Sequence, residues 1–273
     1  MTGAMASAPL YGVDETILAV GLVVALMLAA EVGFRIGRRW PLAEQGIART
    51  QVGALQGALL GLLALLLGFS FQMAESRFDF RRLVTLEEAN VIGTTFLRSR
   101  LLPEPQRGRC DALLRRYVDV RIEFYSIAGA SRRSEIPPEV REPSERLDRA
   151  LWAQAEQAAA REPHSLPVSM FVTSLNQLID LHERRVVALE TRVPGMVLAM
   201  LVLVAASAFF LVGFGYGGSD RRRAGLTALA ALVVAAVITL IIDLDRPLRG
   251  QIWIGQGSML RLRESIAQMP PAE

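Results

Sequence analysis

Four stretches of the chain consist almost entirely of apolar residues, and each is long enough to cross a bilayer as a helix. They run from Thr16 to Phe34, from Val52 to Phe71, from Val193 to Phe214 and from Ala224 to Ile242. A transmembrane helix needs about 20 such residues, and the last three stretches contain no charged residue. The pattern therefore predicts four transmembrane helices, called spans one to four below.

The polar segment between spans two and three, residues 72–192, has the periodicity of helices. Apolar residues recur at helical spacing from Gln106 to Ala128. A stretch rich in proline and charge, residues 131–143, predicts a loop. Ser144 follows this loop and is placed to cap a helix that runs to about Arg161. No convincing strand emerges from the pattern.

These elements predict an all-α integral membrane protein with four transmembrane helices and a helical extramembrane body between spans two and three. A glycine-rich run, Gly213 to Gly218, is expected to form a flexible loop after span three. The predicted division of the chain is an N-terminal tail with spans one and two (1–73), a helical extramembrane domain (74–192), spans three and four (193–244), and a C-terminal extramembrane segment (245–273).

Composition supports a membrane protein and excludes several other classes. The mean hydropathy is +0.33, and the 30 basic residues, all arginine, face 27 acidic residues for a net charge of +3. A nucleic-acid binder would need a clustered basic face instead. Cys110 is the sole cysteine, so no disulfide forms within the chain, and no Cys/His cluster suits zinc. We find no phosphate loop and no nucleophile elbow, and we expect neither an enzyme nor a cofactor.

Arginines in the short loops predict how the chain crosses the membrane. Arg38 and Arg39 follow span one, and Arg221 to Arg223 lie between spans three and four. The positive-inside rule puts both loops in the cytoplasm. Other arginines, such as Arg184 and Arg192, flank the body close to the membrane and argue for the opposite orientation. We predict a multi-pass protein of the plasma (inner) membrane with its N-terminus and body outside.

Span two carries a ridge of small residues on one helical face. The ridge consists of Gly53, Gly57, Gly61, Ala64 and Gly68, at intervals of three or four residues. Such a ridge lets another helix backbone approach closely. Two interpretations stay open at this point, which are tight packing within one chain and a repeated helix contact around a ring of subunits.

Two groups of charged residues lie just beyond the spans. The first group follows span two and comprises Arg77, Arg81 and Arg82; the second follows span four and comprises Asp243, Asp245 and Arg246. Rings of charged side chains, repeated by symmetry, can select ions. The alternative is a set of ion pairs that fix the ends of the helices.

Two polar stripes in the segment between spans two and three predict a buried hydrogen-bonded network. We assign to it Glu87, Asn90, Asn176, Asp180 and Arg184. His182 lies on an apolar helical face and is interpreted as a core histidine. Together with neighbouring carboxylates it could bind a divalent cation, but their spacing specifies no such site, and we expect no metal.

Three blocks of the sequence resemble a known bacterial family. They are LLGFSFQMAESRFDFRRLVTLEEANVIGTTFLRSRLLPEP from Leu66 to Pro105, LNQLIDLHERRVVALETRVP from Leu175 to Pro194, and IIDLDRPLRG from Ile241 to Gly250. The first block closely resembles a signature of the family labelled bestrophin-like, and the other two resemble its remaining blocks. The resemblance covers most of the chain from span two onward.

This resemblance implies similarity to bestrophins, which are pentameric anion channels with four spans per subunit and a helical cytosolic body. In those channels the second span lines the pore and carries an aromatic constriction. The implied pore-lining candidates here are Gly57, Gly61, Ala64, Gly68, Phe69 and Phe71. The resemblance also puts the body in the cytosol, opposite to the charge rule.

The leading functional hypothesis is a homo-oligomeric ion channel that passes small anions through a pore lined by span two. The arginines after span two would supply a positive vestibule, partly offset by Glu75 and Asp79. The expected partners are the lipid bilayer, further copies of the chain in a possible pentamer, and small ions. The alternative is a non-conducting membrane sensor or scaffold that uses the body as an interaction module. A third, weaker hypothesis is a transporter or membrane enzyme with a site at Asp243.

Overall fold

The computed structural model describes residues 14–39, 46–130, 138–217, 224–246 and 255–270. These ranges contain eight helices and no strand. In chain order they are α1 (Glu15–Arg39), α2 (Gly46–Ser99), α3 (Gln106–Ala130), α4 (Pro138–Arg161), α5 (Leu166–Glu190), α6 (Gly195–Tyr216), α7 (Ala224–Asp245) and α8 (Gly257–Ala267). The predicted all-α class is therefore confirmed.

Four helical stretches are long and apolar enough to cross a membrane, as predicted. They belong to α1, α2, α6 and α7. Backbone hydrogen bonds within a helix satisfy every internal N–H and C=O group, which is why an apolar sequence of this length is stable in lipid only as a helix. The chain is a multi-pass membrane protein.

The helices group into two compact units. The membrane unit comprises residues 1–77 and 192–246, and the body comprises residues 78–191 and 247–273. The long helix α2 contributes its first part to the membrane unit and its second part to the body.

In the membrane unit, α1 and α6 are packed backbone against backbone at glycines. A Cβ atom added to Gly33 of α1 would lie 2.0 Å from the carbonyl oxygen of Phe210, and one added to Gly213 of α6 would lie 1.8 Å from that of Ala30. No side chain larger than hydrogen fits at either position. The prediction of a loop after span three is wrong for the start of the glycine-rich run, because helix α6 continues to Tyr216 and Gly213 serves this close contact. Gly218 lies outside the described residues.

The body has an apolar core to which five helices contribute. Phe96 of α2, Tyr117 of α3, Leu151 of α4, Phe171 of α5 and Met259 of α8 are all fully buried in it.

Helix α8 is held to α3 by an arginine. Arg115 donates to the carbonyl oxygens of Ile266 (2.7 Å) and Met269 (3.0 Å) and pairs with Asp111 at 2.7 Å. The last carbonyls of a helix lack partners within it, so this guanidinium stabilises the C-terminal end of α8.

Helix α4 begins earlier than the sequence predicts. It starts at Pro138 and contains Pro143, within the stretch expected to be a loop. Ser144 is therefore no helix cap; its hydroxyl is buried and accepts a hydrogen bond from Arg121 at 3.1 Å. Residues 131–137 lie outside the described residues.

Candidate pore helix and a buried ionic network

The glycine ridge of α2 is open in the single chain. A Cβ atom added to Gly53, Gly57, Gly61 or Gly68 would meet no other atom within 4 Å. Only 6% of the apolar window of this helix is buried. The ridge is thus not used for packing within one chain, which was the first of the two interpretations.

The other pore-lining candidates share this exposure. Ala64 is exposed, the Phe69 side chain is 63% exposed, and Phe71 is half-buried. In the same region Leu63, at 2% exposure, and Ser70 are buried. The helix therefore has one packed edge and a wide open face that contains five of the six candidates, with Phe71 at its margin.

The three arginines after span two do not share one environment. Arg81 is 2% exposed, Arg77 is half-buried, and only Arg82 is exposed. A vestibule of three arginines is therefore wrong for the single chain. The reason is helical geometry, because successive residues point about 100° apart.

The charged residues after span four are buried at helix ends. Asp245 accepts a hydrogen bond from the backbone N–H of Val193 at 2.8 Å, and Arg246 lies 3.7 Å from the carboxylate of Glu15. Asp243 is also buried. These contacts tie the end of α7 to the starts of α1 and α6, and a role of the three residues in selecting ions stays a prediction.

The residues assigned from sequence to a buried network are on the wrong face. The structure places all of them at exposed positions in the chain, namely Glu87, Asn90, Asn176, Asp180 and Arg184. The buried network uses the adjacent positions Glu88 and Arg185 instead.

Glu88 is the centre of this network. Its Oε1 atom lies 2.5 Å from Nη2 of Arg121 and 3.3 Å from Nη1 of Arg185, and all three side chains are almost fully buried. The Arg185 guanidinium also lies 4.2 Å from the ring centroid of Phe124, a favourable cation–π distance. One carboxylate thus joins helices α2, α3 and α5.

Further titratable groups surround this pair. Burial raises the pKa of Asp148 of α4 from its usual 3.8 to about 7. Burial also raises the pKa of Tyr117 well above its usual value. His182 is buried in the body, in agreement with its interpretation as a core histidine. Within the described ranges no group of three His, Cys, Asp or Glu side chains could hold a metal ion.

A sequence signal for this network exists. Ala74, Arg81, Glu88 and Thr95 recur every seven residues along α2, and all four are buried. A seven-residue repeat keeps positions on nearly the same helical face. The repeat selects Glu88, whereas the polar stripe on the same helix contains Glu87.

Solved structures of similar fold cover nearly the whole chain. Two crystal structures of a bacterial bestrophin homologue from Klebsiella pneumoniae match it with TM-scores of 0.62 and 0.63, each at 14% sequence identity. The matches cover 92% and 94% of this chain, and 97% and 100% of those chains. At this identity the likeness establishes the fold.

Sequence comparison identifies the family. No curated protein sequence matches the chain. The model of the Bestrophin-like domain matches residues 20–259, which include most of span one, the other three spans and all of the body helices up to the start of α8. The chain therefore belongs to the bestrophin-like family of membrane proteins.

Proposed function

We propose that the protein is a homo-oligomeric ion channel whose pore is lined by the membrane part of α2. The observation that supports this proposal is the open glycine ridge, where a Cβ atom added to any of the four glycines would meet no neighbouring helix within 4 Å. Small residues on a transmembrane helix favour close helix association, so further copies of α2 are the natural neighbours. Membership of the bestrophin-like family supports the same arrangement, with five subunits by analogy to bestrophins.

Apolar exposure beyond the membrane supports assembly with further copies. Phe80, Leu83 and Leu86 of α2 are 51%, 61% and 46% exposed. They follow Phe71 by 9 to 15 residues, or roughly 14–22 Å of helix. Lipid chains do not cover positions that far beyond a span, and exposed apolar patches outside the membrane mark interaction sites. A second copy of the chain is the proposed cover.

The proposed gate is Phe71 at the end of span two. It follows Gly68, the last glycine of the ridge, by three residues and so lies near the same helical face, whereas Phe69 points to nearly the opposite side. A ring of Phe71 side chains around an axis makes an apolar constriction. Apolar constrictions can close a pore by excluding water. No covalent chemistry is needed for this function.

The proposed ions are small anions, in accord with the bestrophin family and with exposed Arg82. One observation favours small cations as the second candidate. Asp79 is exposed and lies 18 residues, or five helical turns, after Gly61, so it continues the glycine face. A reversal potential measured across a KCl gradient separates the two candidates, because anion and cation selectivity give opposite signs.

The first experiment is the subunit number of the purified protein in nanodiscs, followed by ion flux in vesicles. We expect a ring of four or more subunits. Phe71→Ala should raise basal flux, whereas Leu28→Ala, which removes an exposed apolar side chain of α1, should not. A monomer, or a well-folded Phe71→Ala variant with unchanged flux, would contradict a gate in span two.

The non-conducting sensor or scaffold remains the alternative. It would be supported by an assembled protein whose glycine ridges pack together and leave no axial cavity. The proposed location is the inner membrane with the N-terminus outside. Labelling single cysteines placed in the tail and in the body from either side of intact cells tests that orientation.

A further inference from the structure

An apolar groove lies inside the membrane unit, between α2 and the pair formed by α1 and α6. Its walls include Ala29 of α1, Leu55 and Leu59 of α2, and Phe210 and Leu211 of α6. The groove has a volume of about 480 Å³, within the range of roughly 300–1,000 Å³ that is usual for small-molecule sites. The structure therefore leaves room for a ligand beside two helices that themselves pack backbone against backbone.

The lining of the groove favours a hydrocarbon ligand. Among the described residues that line it, only Ser207 has a polar side chain, and its hydroxyl donates to the Leu203 carbonyl oxygen of the same helix at 2.9 Å. Gln56, which lies between the two leucines in sequence, contacts α6 instead, where its Oε1 atom is 3.6 Å from the position of a Cβ atom added to Gly215. A polar ligand would lose its hydrogen bonds to water in such a groove, whereas a hydrocarbon chain has none to lose.

The groove lies at the depth that the acyl chains of one leaflet occupy. Ala29 precedes Arg39, the last residue of α1, by ten residues, or about 15 Å of helix. The hydrocarbon core of a bilayer is about 30 Å thick, so each leaflet fills about half of it. A lipid whose head group is level with the end of α1 therefore places its acyl chains beside the groove.

Exposed positive charge lies at the level of that head group. Arg38 and Arg39 form the last turn of α1, and both are exposed. Arg35, one turn earlier, is already paired with Glu31 at 2.8 Å. Arginine forms strong, charge-assisted hydrogen bonds to phosphate oxygens, and basic residues next to a span attract anionic lipids.

The groove is on the side of α2 away from the glycine ridge. Leu55 and Leu59 are each two residues from Gly57, and two residues turn a helix by about 200°. A second copy of the chain packed on the ridge would therefore leave the groove to lipid. This step rests on the proposed assembly through the ridge, whereas the lining, the depth and the charge do not.

We propose that the groove binds one acyl chain of an anionic glycerophospholipid whose head group lies at Arg38 and Arg39. An empty space beside closely packed helices forfeits dispersion contacts, and a bound chain restores them. The lipid would thus support α2 in its position next to α1 and α6.

Photolabelling of the full-length protein in nanodiscs tests this site. The probes are phosphatidylglycerol and phosphatidylcholine with a diazirine in one acyl chain, and mass spectrometry identifies the labelled residues. We expect the phosphatidylglycerol probe to label Leu59 and Phe210 several-fold more than Leu229, which is an exposed residue of α7. Equal labelling of the three residues would show that the lipid around the protein has no specific site, and would overturn the proposal.

Two variants fill the groove from opposite walls, so that the test stands if one of them fails to fold. Ala206→Phe adds bulk on α6, and Leu59→Trp adds it on α2. Each should lower the labelling of Phe210 several-fold. Ala230→Phe makes the same change as the first variant at an exposed position of α7 and should leave the labelling unchanged. Full labelling of Phe210 in a folded groove variant would contradict the proposal.

The head-group contact is tested by removing both charges. Arg38→Gln combined with Arg39→Gln should reduce the labelling of Phe210 by phosphatidylglycerol to the level given by phosphatidylcholine. Arg116→Gln combined with Arg149→Gln removes two exposed charges from the body and should keep the preference. A preference that survives the first change would overturn the assignment of an anionic head group to the end of α1.

A second copy of the chain is the competing occupant of the groove. A disulfide between copies through Leu59→Cys would show such a copy there and would reject the lipid. The subunit number of the same nanodiscs separates this proposal from the assembly. Groove labelling in a monomer upholds the lipid and rejects the assembly, whereas a ring without groove labelling does the reverse.

Discussion

The membrane unit and the body hold their helices together by different means. In the membrane unit, α1 and α6 meet through glycines, where added Cβ atoms would lie 2.0 Å and 1.8 Å from backbone oxygens. In the body, Glu88 joins three helices through two buried arginines. Lipid offers no hydrophobic gain when two helices meet, so close backbone packing decides the contact there. In the body water drives apolar burial, and the ionic network specifies which helix faces meet.

The comparison also separates two uses of the same residue in the membrane unit. Gly33 of α1 and Gly213 of α6 each face a neighbouring backbone, whereas the ridge glycines of α2 face open space. A glycine pattern therefore identifies a face made for close approach but does not say whether its partner lies in the same chain.

The largest expected effect is in the body. Glu88→Gln leaves two buried arginines without their shared carboxylate, and we expect a loss of about 3–5 kcal/mol in the free energy of unfolding. Glu87→Gln changes an exposed neighbour and should stay within about 0.5 kcal/mol of the wild type. Thermal unfolding of the purified variants measures both. Equal stability of the two would show that the network does not hold the body together.

A smaller effect is expected at the glycine contact of the membrane unit. Gly213→Ala forces a methyl group against the Ala30 carbonyl, and overpacking of this kind costs about 1–3 kcal/mol. Gly21→Ala, on an open face of α1, should not destabilise the protein. If the two variants unfold at the same temperature, the backbone contact between α1 and α6 is looser than described.

The open ridge of α2 should affect assembly and leave the single chain unchanged. Gly61→Leu places a large side chain where the subunit has free space, so helicity and stability of the subunit should be kept. The subunit number seen by native mass spectrometry should fall, whereas Gly21→Leu should keep it. Unchanged assembly of Gly61→Leu would remove the ridge from the proposed interface.

The smallest change concerns Cys110, a probe of how tightly the body is packed. The thiol is fully buried, and burial raises its pKa to about 12. Because the thiolate is the reactive form, a maleimide at pH 8 should label the native protein very slowly and the denatured protein fully. Fast labelling of the native protein would indicate that the core of the body opens readily.

The spans could be predicted from sequence because the bilayer requires long apolar helices, and these are visible as runs of consecutive apolar residues. It was harder to predict which face of a helix is buried. Choosing Glu87 over Glu88 is an error of one residue, yet it rotates the side chain by about 100° and moves it from the core to the surface.

Contacts distant in sequence were the least predictable. The sequence does not indicate that Gly33 and Gly213 lie at the same helix contact, since a small residue permits close packing but does not specify the partner. Arg121 likewise lies on a helix whose sequence does not reveal that Glu88 and Ser144 converge on it. The glycine ridge of α2 is open in the single chain, so the sequence of one chain could not predict what contacts it.

The hydrogen bond from the Val193 amide to Asp245 has a consequence for the order in which the chain enters the membrane. The two residues are 52 positions apart, so the third span is complete in the nascent chain before its partner on the fourth span has been synthesised. Until then the amide at the entrance of span three must stay in contact with water or with the insertion machinery. We expect spans three and four to be released into lipid as a pair. In a chain that stops before Asp245, span three should be incompletely inserted.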